Sequence, residues 1–186
     1  MSTNPNVVSP QTAHKLAINN LLHVFSERDA SKRLEAVKAT YTLDVHLSEP
    51  DGILVGHEAV SEKAGDVLDK QPGWRFTPKG KVKQNGEMIY LAWEFGPAVE
   101  GKELGEVGSV KVMATGADVI LTAGGLISRL WVVIDGLSDV SMPQVAHEAV
   151  TTVYTNQRDQ PRQEITRLQR AAREAENLGL EQDRLV

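Results

Sequence analysis

The chain has no cysteine in its 186 residues. Disulfide bonds, thiolate nucleophiles and cysteine-ligated zinc are therefore excluded. A chain of this length can bury a sizeable core without covalent cross-links, so we expect one domain, alone or with an appendage. The missing cysteines are also compatible with a cytoplasmic location, which is the location we expect.

Long apolar runs and concentrated positive charge are also missing. No stretch reaches the ~18 apolar residues that a membrane span needs. The N-terminal segment MSTNPNVVSPQT has no basic region followed by an apolar core, so no signal peptide is expected. A net charge of −5 without a basic stripe argues against nucleic acid as a partner. We therefore expect neither nucleic-acid nor membrane binding.

Motifs for nucleotides and metals do not stand out either. The sequence has no P-loop, no GxGxxG motif and no Ser-His-Asp order typical of a hydrolase. No pair of histidines has metal-ligand spacing together with a carboxylate. The prediction is that the protein uses no cofactor and no metal.

Three helices are predicted in the first part of the chain. A Ser-Pro pair at residues 9–10 is typical of a helix start, and apolar residues at helical spacing continue to about Arg28. Asp29 or Ser31 can cap a second, short helix. A third helix begins near Gly56 and ends before a Pro-Gly pair.

Between the second and third helices, residues 41–56 read YTLDVHLSEPDGILVG. Leu43, Val45 and Leu47 alternate with polar residues, which predicts a half-buried strand followed by a turn and a second short strand. Glu49 keeps the phase of these apolar residues, so its side chain is expected on the inward face. A buried carboxylate is costly without a partner or a function. The alternative is that Glu49 lies in solvent at the strand end.

From Trp74 onward the pattern is that of strands. Residues 74–84 and 87–97 form two arms around Asn85-Gly86, a strong hairpin signal. The second arm is apolar on both faces, which predicts a cover on both sides by helices or a partner subunit. Residues 107–136 predict a further long hairpin that turns at Gly124-Gly125. These strands form a predicted four-stranded meander.

The last part of the chain, residues 138–186, is expected to be a helical extension of a domain formed by residues 1–137. Its first half has apolar residues at helical spacing after a capping signal at Ser141. Its second half is a highly charged helix with a narrow apolar stripe that ends at Gly179. This stripe suits docking on a neighbour, and a frayed, solvated helix is the alternative.

Three segments together resemble the nuclear transport factor 2-like superfamily, in the branch that contains SnoaL-type polyketide cyclases and ketosteroid isomerases. The segments are YTLDVHLSEPDG with the following GHEAV, then NGEMIYLAWEFGP, then GADVILTAGGLISRLWVVIDG. The resemblance covers roughly residues 10–137. It implies an α+β fold in which a cone-shaped, curved antiparallel (mixed) sheet wraps around about three N-terminal helices and leaves a pocket. It also implies a homodimer that packs through the convex face of the sheet.

The resemblance implies two catalytic carboxylates. In the ketosteroid isomerases an Asp-Pro pair at the end of the first strand supplies the general base, and Glu49 is the matching residue here. A second acid is kept protonated by an apolar site and donates to an oxyanion; the similar residue is Asp118. The alternative for Asp118 is a turn cap or a backbone hydrogen bond within a bulge.

The resemblance is incomplete at a third position. The tyrosine of the isomerase oxyanion hole falls on Phe25, which cannot donate a hydrogen bond, so true ketosteroid isomerase activity is not expected. Five residues are predicted to bind the substrate: Phe25, Phe76, Trp93, Ile120 and Val132. Among other residues, His46 is expected to face away from the pocket, and His57 to lie on the surface in the first helical turn.

The leading hypothesis is a cofactor-independent enzyme of the isomerase or cyclase type. Glu49 would be the general base and Asp118 the proton donor, acting on a hydrophobic, polycyclic or terpenoid-like small molecule. The main alternative is a non-catalytic ligand-binding or dimerisation module of the same fold. A dehydratase or an epoxide hydrolase is a further alternative.

Overall fold

The computed structural model describes residues 4–139. The predicted extension over 138–186 therefore lies outside the described residues, except for its first two positions. The described elements in chain order are α1 (Pro10–Asn19), a π-helical segment (Asn20–Val24), α2 (Ala30–Thr40), β1 (Tyr41–Glu49), β2 (Gly52–Val55), α3 (His57–Lys70), β3 (Trp74–Pro78), β4 (Lys83–Asn85), β5 (Met88–Pro97), β6 (Ala114–Ala123) and β7 (Leu126–Ile134). Within these residues, no helix is both long and apolar enough to cross a bilayer.

The first two helices begin at side-chain caps. The Ser9 hydroxyl accepts a hydrogen bond of 3.1 Å from the backbone N–H of Thr12. The Asp29 carboxylate accepts one of 2.9 Å from the backbone N–H of Lys32. Each cap satisfies an N–H group that a helix start leaves without an intrahelical partner, as the sequence predicted.

The seven strands form one curved, unclosed sheet with the order β2-β1-β7-β6-β5-β3, and β4 pairs with β5 beside β3. Neighbouring strands are antiparallel except β1 and β7, which run parallel. The described residues therefore form the α+β fold with a mixed curved sheet that the sequence predicted.

Both predicted hairpin turns are confirmed. Asn85 ends β4 and pairs with Met88, so the two-residue loop is Gly86-Glu87, one residue later than the predicted Asn85-Gly86. Ala123 pairs with Leu126 around the Gly-Gly pair. Gly86 has a φ of 61°, which is the left-handed region that such tight turns require and that glycine adopts without strain.

Two of the predicted strands are shorter than expected. The arm over 74–84 divides into β3 and β4, and both pair with β5. The strand predicted from residue 107 begins only at Ala114, so that residues 98–113 form a long connection. Gly101, Gly105 and Gly108 in this segment have positive φ angles, which break the extended conformation of a strand.

Two residues near β1 also differ from expectation. Leu43 was predicted to face inward, but its side chain is 78% exposed because the pairing of β1 with β7 shifts register between Tyr41 and His46. His57 was predicted on the surface. It does begin α3, but it is buried, and its Nε2 lies 3.0 Å from the backbone oxygen of Tyr41. His46 is exposed, as expected.

The two faces of the sheet differ in burial. Alternate residues of β5 are buried against the helices: Ile89, Leu91, Trp93 and Phe95. The opposite face keeps some apolar surface in solvent, since Met88 is 39% and Trp131 is 37% exposed. Strand β5, the second arm of the predicted hairpin, is therefore covered by described residues on one face only.

Candidate active site

A cavity of about 180 Å³ lies inside the curve of the sheet. Glu49 and Asp118 both line it. The remaining lining side chains are apolar: Leu21, Phe25, Val67, Phe76, Trp93, Phe95, Ala114, Val132 and Ile134. Two acids in an otherwise apolar cavity are unusual, because each carboxylate loses hydration on burial.

Glu49 ends β1 and forms an ion pair with α3. Its Oε2 lies 2.5 Å from Lys63 Nζ, and its side chain is 9% exposed. The alternative of a solvent-exposed Glu49 is therefore wrong. Lys63 also lies 3.7 Å from Asp51 in the following turn. The hydrogen bond to Glu49 raises the pKa of Lys63, which keeps the ammonium group charged.

Asp118 lies in the middle of β6 and is buried by side chains from two other elements. Its Oδ1 accepts a hydrogen bond of 3.0 Å from Trp93 Nε1. Its Oδ2 accepts one of 2.7 Å from Asn20 Nδ2. Both partners are side chains. Asp118 therefore neither caps a turn nor bonds to the backbone within a bulge, which were the two alternatives from the sequence.

The environment of Asp118 makes it a weak acid. Burial raises the pKa of its carboxyl group, the hydrogen bonds from Trp93 and Asn20 lower it, and the charge of Glu49 raises it again. The outcome is a pKa of about 7 against an ordinary value of 3.8. Asp118 can therefore hold a proton near neutral pH, as a donor to a ligand oxygen must.

The hydrogen-bond chain continues behind Asp118. Asn20 Oδ1 accepts a hydrogen bond from the hydroxyl group of Tyr41, and both residues are buried. Asn20 is the first residue of the π-helical segment, and its backbone carbonyl oxygen accepts a hydrogen bond of 3.0 Å from the backbone N–H of Phe25. This wider turn is often found at functional sites, and here it turns both Asn20 and Phe25 toward the core.

Trp93 can reach Asp118 because the facing residue is glycine. Trp93 pairs with Gly116 across β5 and β6. A Cβ atom at Gly116 would collide with the Trp93 ring and with the backbone oxygen of Val133. Glycine thus leaves the space in which the indole lies and points its N–H toward the carboxylate.

Aromatic rings form one wall of the cavity. Phe76 packs edge-on against Phe25 at 6.1 Å and against Trp93 at 5.3 Å between ring centroids. It also stacks on Phe95 at 4.2 Å. Because each ring is held by at least one other, the wall has a defined shape and suits a flat apolar ligand.

Most of the residues singled out from sequence meet at this cavity. Phe25, Phe76, Trp93 and Val132 line it with the two acids. Ile120 lies two residues beyond Asp118 on the same face of β6, is fully buried in the core and is not part of the lining. The roles of these residues stay predictions, since position alone does not establish them.

Sequence reasoning missed three polar residues of the site. Asn20 lies among the apolar residues at helical spacing of the first predicted helix, where a polar residue signals a buried hydrogen bond. Lys63 lies four residues before the lining residue Val67, hence on the same side of α3. Tyr41 was read only as the start of a strand. Among the described residues, no group of three His, Cys, Asp or Glu side chains could hold a metal ion.

Comparisons of sequence gave no family. No protein-family model matches the chain. No curated protein matches it either.

Comparison of structures gave many similar proteins, and three are informative. A protein assigned as an isomerase of the SnoaL-like family from Agrobacterium tumefaciens has a TM-score of 0.57 at 20% identity, covering 67% of this chain and 99% of its own. A protein assigned as a SnoaL-like polyketide cyclase from a Jannaschia species has a TM-score of 0.53 at 11% identity, covering 76% and 99%. TsrD from Streptomyces laurentii has a TM-score of 0.53 at 16% identity, covering 70% and 93%.

At these identities the likeness concerns the fold and not the activity. The match to this chain covers nearly the whole length of each of these three proteins, so the curved sheet and its helices are shared as one unit. The chain therefore has the fold of the SnoaL-like proteins, as the resemblance in its sequence predicted.

Proposed function

We propose that the protein is a cofactor-independent enzyme that moves a proton within a hydrophobic small molecule, as isomerases and cyclases do. One observation carries the proposal: two carboxylates in different environments reach the same apolar cavity. Glu49 is paired with a cation, whereas Asp118 is buried between two neutral donors. Environments that separate the protonation of two acids are typical of acid–base pairs.

Glu49 is the proposed general base. Its carboxylate lies beside the Lys63 ammonium group and can accept a proton from a carbon atom next to a carbonyl group. The electron pair of the broken C–H bond then moves toward the carbonyl oxygen and forms an enol or enolate. Return of the proton from Glu49 to another carbon atom completes an isomerisation. In a cyclisation, the enolate carbon attacks a second carbonyl carbon, the π bond of that carbonyl group breaks, and its oxygen takes the proton from Glu49.

Asp118 is the proposed donor to the oxygen that gains this charge. A pKa of about 7 keeps much of the carboxyl group protonated near neutrality. Among apolar side chains, a hydrogen bond to an oxyanion is worth more than in water. Asp118 thereby supplies the electrophile that Phe25 cannot, since a phenyl ring has no donor.

The cavity suggests the class of substrate. About 180 Å³ exceeds the roughly 150 Å³ of an apolar cavity that binds benzene, so one or two rings fit inside. The aromatic wall favours flat, apolar rings, and the two acids require a carbonyl group. We therefore propose a neutral polycyclic or terpenoid-like ketone, with any larger part of the molecule at the open end.

A non-catalytic binding module is the second candidate, and the Glu49–Lys63 contact favours it. An ion pair at 2.5 Å reduces the availability of the carboxylate as a base. In this case the cavity would hold an apolar ligand and leave it unchanged. The dehydratase and epoxide hydrolase alternatives have less support, because no arginine or histidine is among the described lining residues.

The test is hydrogen–deuterium exchange at the carbon atoms beside a carbonyl group. The probes are 2-indanone, 2-tetralone and a steroid 3-ketone, incubated with the protein in deuterium oxide and analysed by mass spectrometry. We expect exchange of at least one probe above the buffer rate, with saturation as the ketone concentration rises. E49Q should lower the rate by about 100-fold or more, and D118N by about 10-fold or more.

The matched control is T122V, which alters a buried polar residue on the same strand as Asp118 without touching the cavity. It should retain the wild-type rate. Exchange of all three ketones at the buffer rate would reject proton transfer. A ketone that binds, as judged by the intrinsic tryptophan fluorescence, yet exchanges at the buffer rate would favour the binding module.

We further propose that two copies associate through the convex face of the sheet. Register places Tyr90, Val119 and Trp131 side by side across β5, β6 and β7. Trp131 is the exposed member of this row, Tyr90 and Val119 are half-buried, and Val133 and Ile53 on the neighbouring surface are exposed. An apolar row of this length on an outer sheet face supports an interface, because aromatic and aliphatic side chains gain most from leaving water.

A further inference from the structure

We propose that Asn20 and Tyr41 are positioning residues that make the acid proton of Asp118 point into the cavity. This inference rests on the proposed role of Asp118 as the hydrogen-bond donor to the ligand, and it explains why the acid proton points into the cavity. It is argued from the donors and acceptors around one buried carboxyl group.

Both protein partners of Asp118 can only donate in the observed arrangement. The Trp93 indole has an N–H and no acceptor. Asn20 has both an oxygen and an NH₂ group, but its oxygen accepts from the Tyr41 hydroxyl, so the NH₂ group faces Asp118 at 2.7 Å. Tyr41 thus decides which end of the amide meets the carboxylate.

This arrangement leaves a protonated Asp118 without an acceptor among its protein partners. A neutral carboxylic acid has one O–H group that needs an acceptor when it is buried. Since Trp93 and Asn20 both donate, the remaining direction is the cavity that Asp118 lines. A ligand oxygen placed there completes the hydrogen bond, so the ligand must carry an acceptor such as a carbonyl group.

Turning the Asn20 amide around would remove this direction. Its oxygen would then accept the Asp118 proton, and its NH₂ group would face Tyr41. That state leaves the hydroxyl group of Tyr41 without its acceptor, which is costly because the residue is buried. Tyr41 remains a donor throughout, because burial and then the charge of Asp118 raise its pKa well above its ordinary value.

Other titrating groups act on the same carboxyl group. Glu49, on β1, faces Asp118 across the cavity and disfavours its ionised form. Lys63, on α3, pairs with Glu49 and partly offsets this charge. A titration of Asp118 must therefore be read together with these two residues, which the variants below leave unchanged.

The test uses Trp93 as a reporter and needs no substrate. The indole N–H resonance of Trp93 is followed from about pH 5 to about pH 9 in a nitrogen–proton correlation spectrum, because its acceptor changes charge in this range. W93F assigns the resonance among the three tryptophans. D118N should abolish its titration.

We expect the midpoint to rise by about one pH unit in N20L, which removes a donor to the charged form. We expect a smaller rise in Y41F, which frees the amide to accept from the neutral acid. T122V, on the same strand, is the control and should keep the wild-type midpoint. Circular dichroism checks that each variant is folded, and Y41F keeps the test available if N20L does not fold.

Midpoints in both variants that equal that of T122V would overturn the inference. If the wild-type protein exchanges ketones only at the buffer rate while the variants show the expected midpoint changes, the proposed function is rejected and the positioning roles stay intact. Unchanged midpoints with active exchange would reject the positioning roles alone.

Discussion

Lys63 Nζ lies 2.5 Å from Glu49 Oε2, which joins α3 to the end of β1 at the rim of the cavity. The two residues are fourteen positions apart in sequence, and the hairpin turn between them contributes Asp51 as a second, weaker partner at 3.7 Å. The proposed base thus has its counter-charge built into the neighbouring helix.

The first prediction concerns this pair. The Lys63 side chain is 27% exposed and that of Glu49 is 9% exposed, so the coupling should lie between the values for surface and buried pairs. A double-mutant cycle of E49Q, K63M and the double variant should give a coupling free energy of about 1–2 kcal/mol by denaturant unfolding. Raised salt should reduce it only in part. A coupling near zero would contradict the prediction and show that the ion pair adds nothing to the free energy of unfolding.

The second prediction concerns the pH dependence of stability. The folded-state pKa of Asp118 is about 7 against an ordinary 3.8, so the folded state holds the proton more tightly than the unfolded state. The contribution of Asp118 to the free energy of unfolding is fully present below the pKa that Asp118 has in the unfolded state. It is lost as the pH rises through the pKa that Asp118 has in the folded state. D118N should remove this dependence, which could reach about 4 kcal/mol between about pH 4 and about pH 8.

Unfolding of the wild type and D118N at several pH values measures this difference. The quantity to compare is the slope of the free energy of unfolding against pH, not its absolute value, because an amide at position 118 changes the hydrogen bonds to Asn20 at every pH. Parallel curves for the two proteins would show that Asp118 titrates normally in the folded state.

The third prediction concerns Gly116. G116A should lower the free energy of unfolding by more than about 2 kcal/mol, because the new methyl group meets a backbone oxygen and the Trp93 ring. The Trp93 indole resonance should also move at neutral pH, as its hydrogen bond to Asp118 is strained. V119A, on the convex side of the same strand, should cost less and leave this resonance in place. Unchanged stability in G116A would contradict the close approach.

The fourth prediction concerns the proposed dimer. W131E places a charge at the exposed end of the apolar row and should convert a dimer into a monomer, as measured by light scattering after size-exclusion chromatography. V107E is the control, since Val107 is 85% exposed in the connection before β6. A wild type that is monomeric at micromolar concentration would remove the proposal.

Local signals in the sequence account for much of the fold. The caps at Ser9 and Asp29 and the turns at Asn85-Gly86 and Gly124-Gly125 act over a few residues, so their patterns could be read directly. The same approach failed at Leu43, where a register shift against β7 outweighs the alternation of β1.

Two acids could be named from sequence because a family resemblance pointed to Glu49 and Asp118. Their partners could not, because Asn20 lies 98 positions from Asp118 and no local pattern links them. Composition, caps, turns and alternation determined which segments become helices and strands. The curvature of the sheet and the seating of the helices against it decided which donors meet Asp118 and which cation meets Glu49, because such contacts exist only after distant segments have packed together.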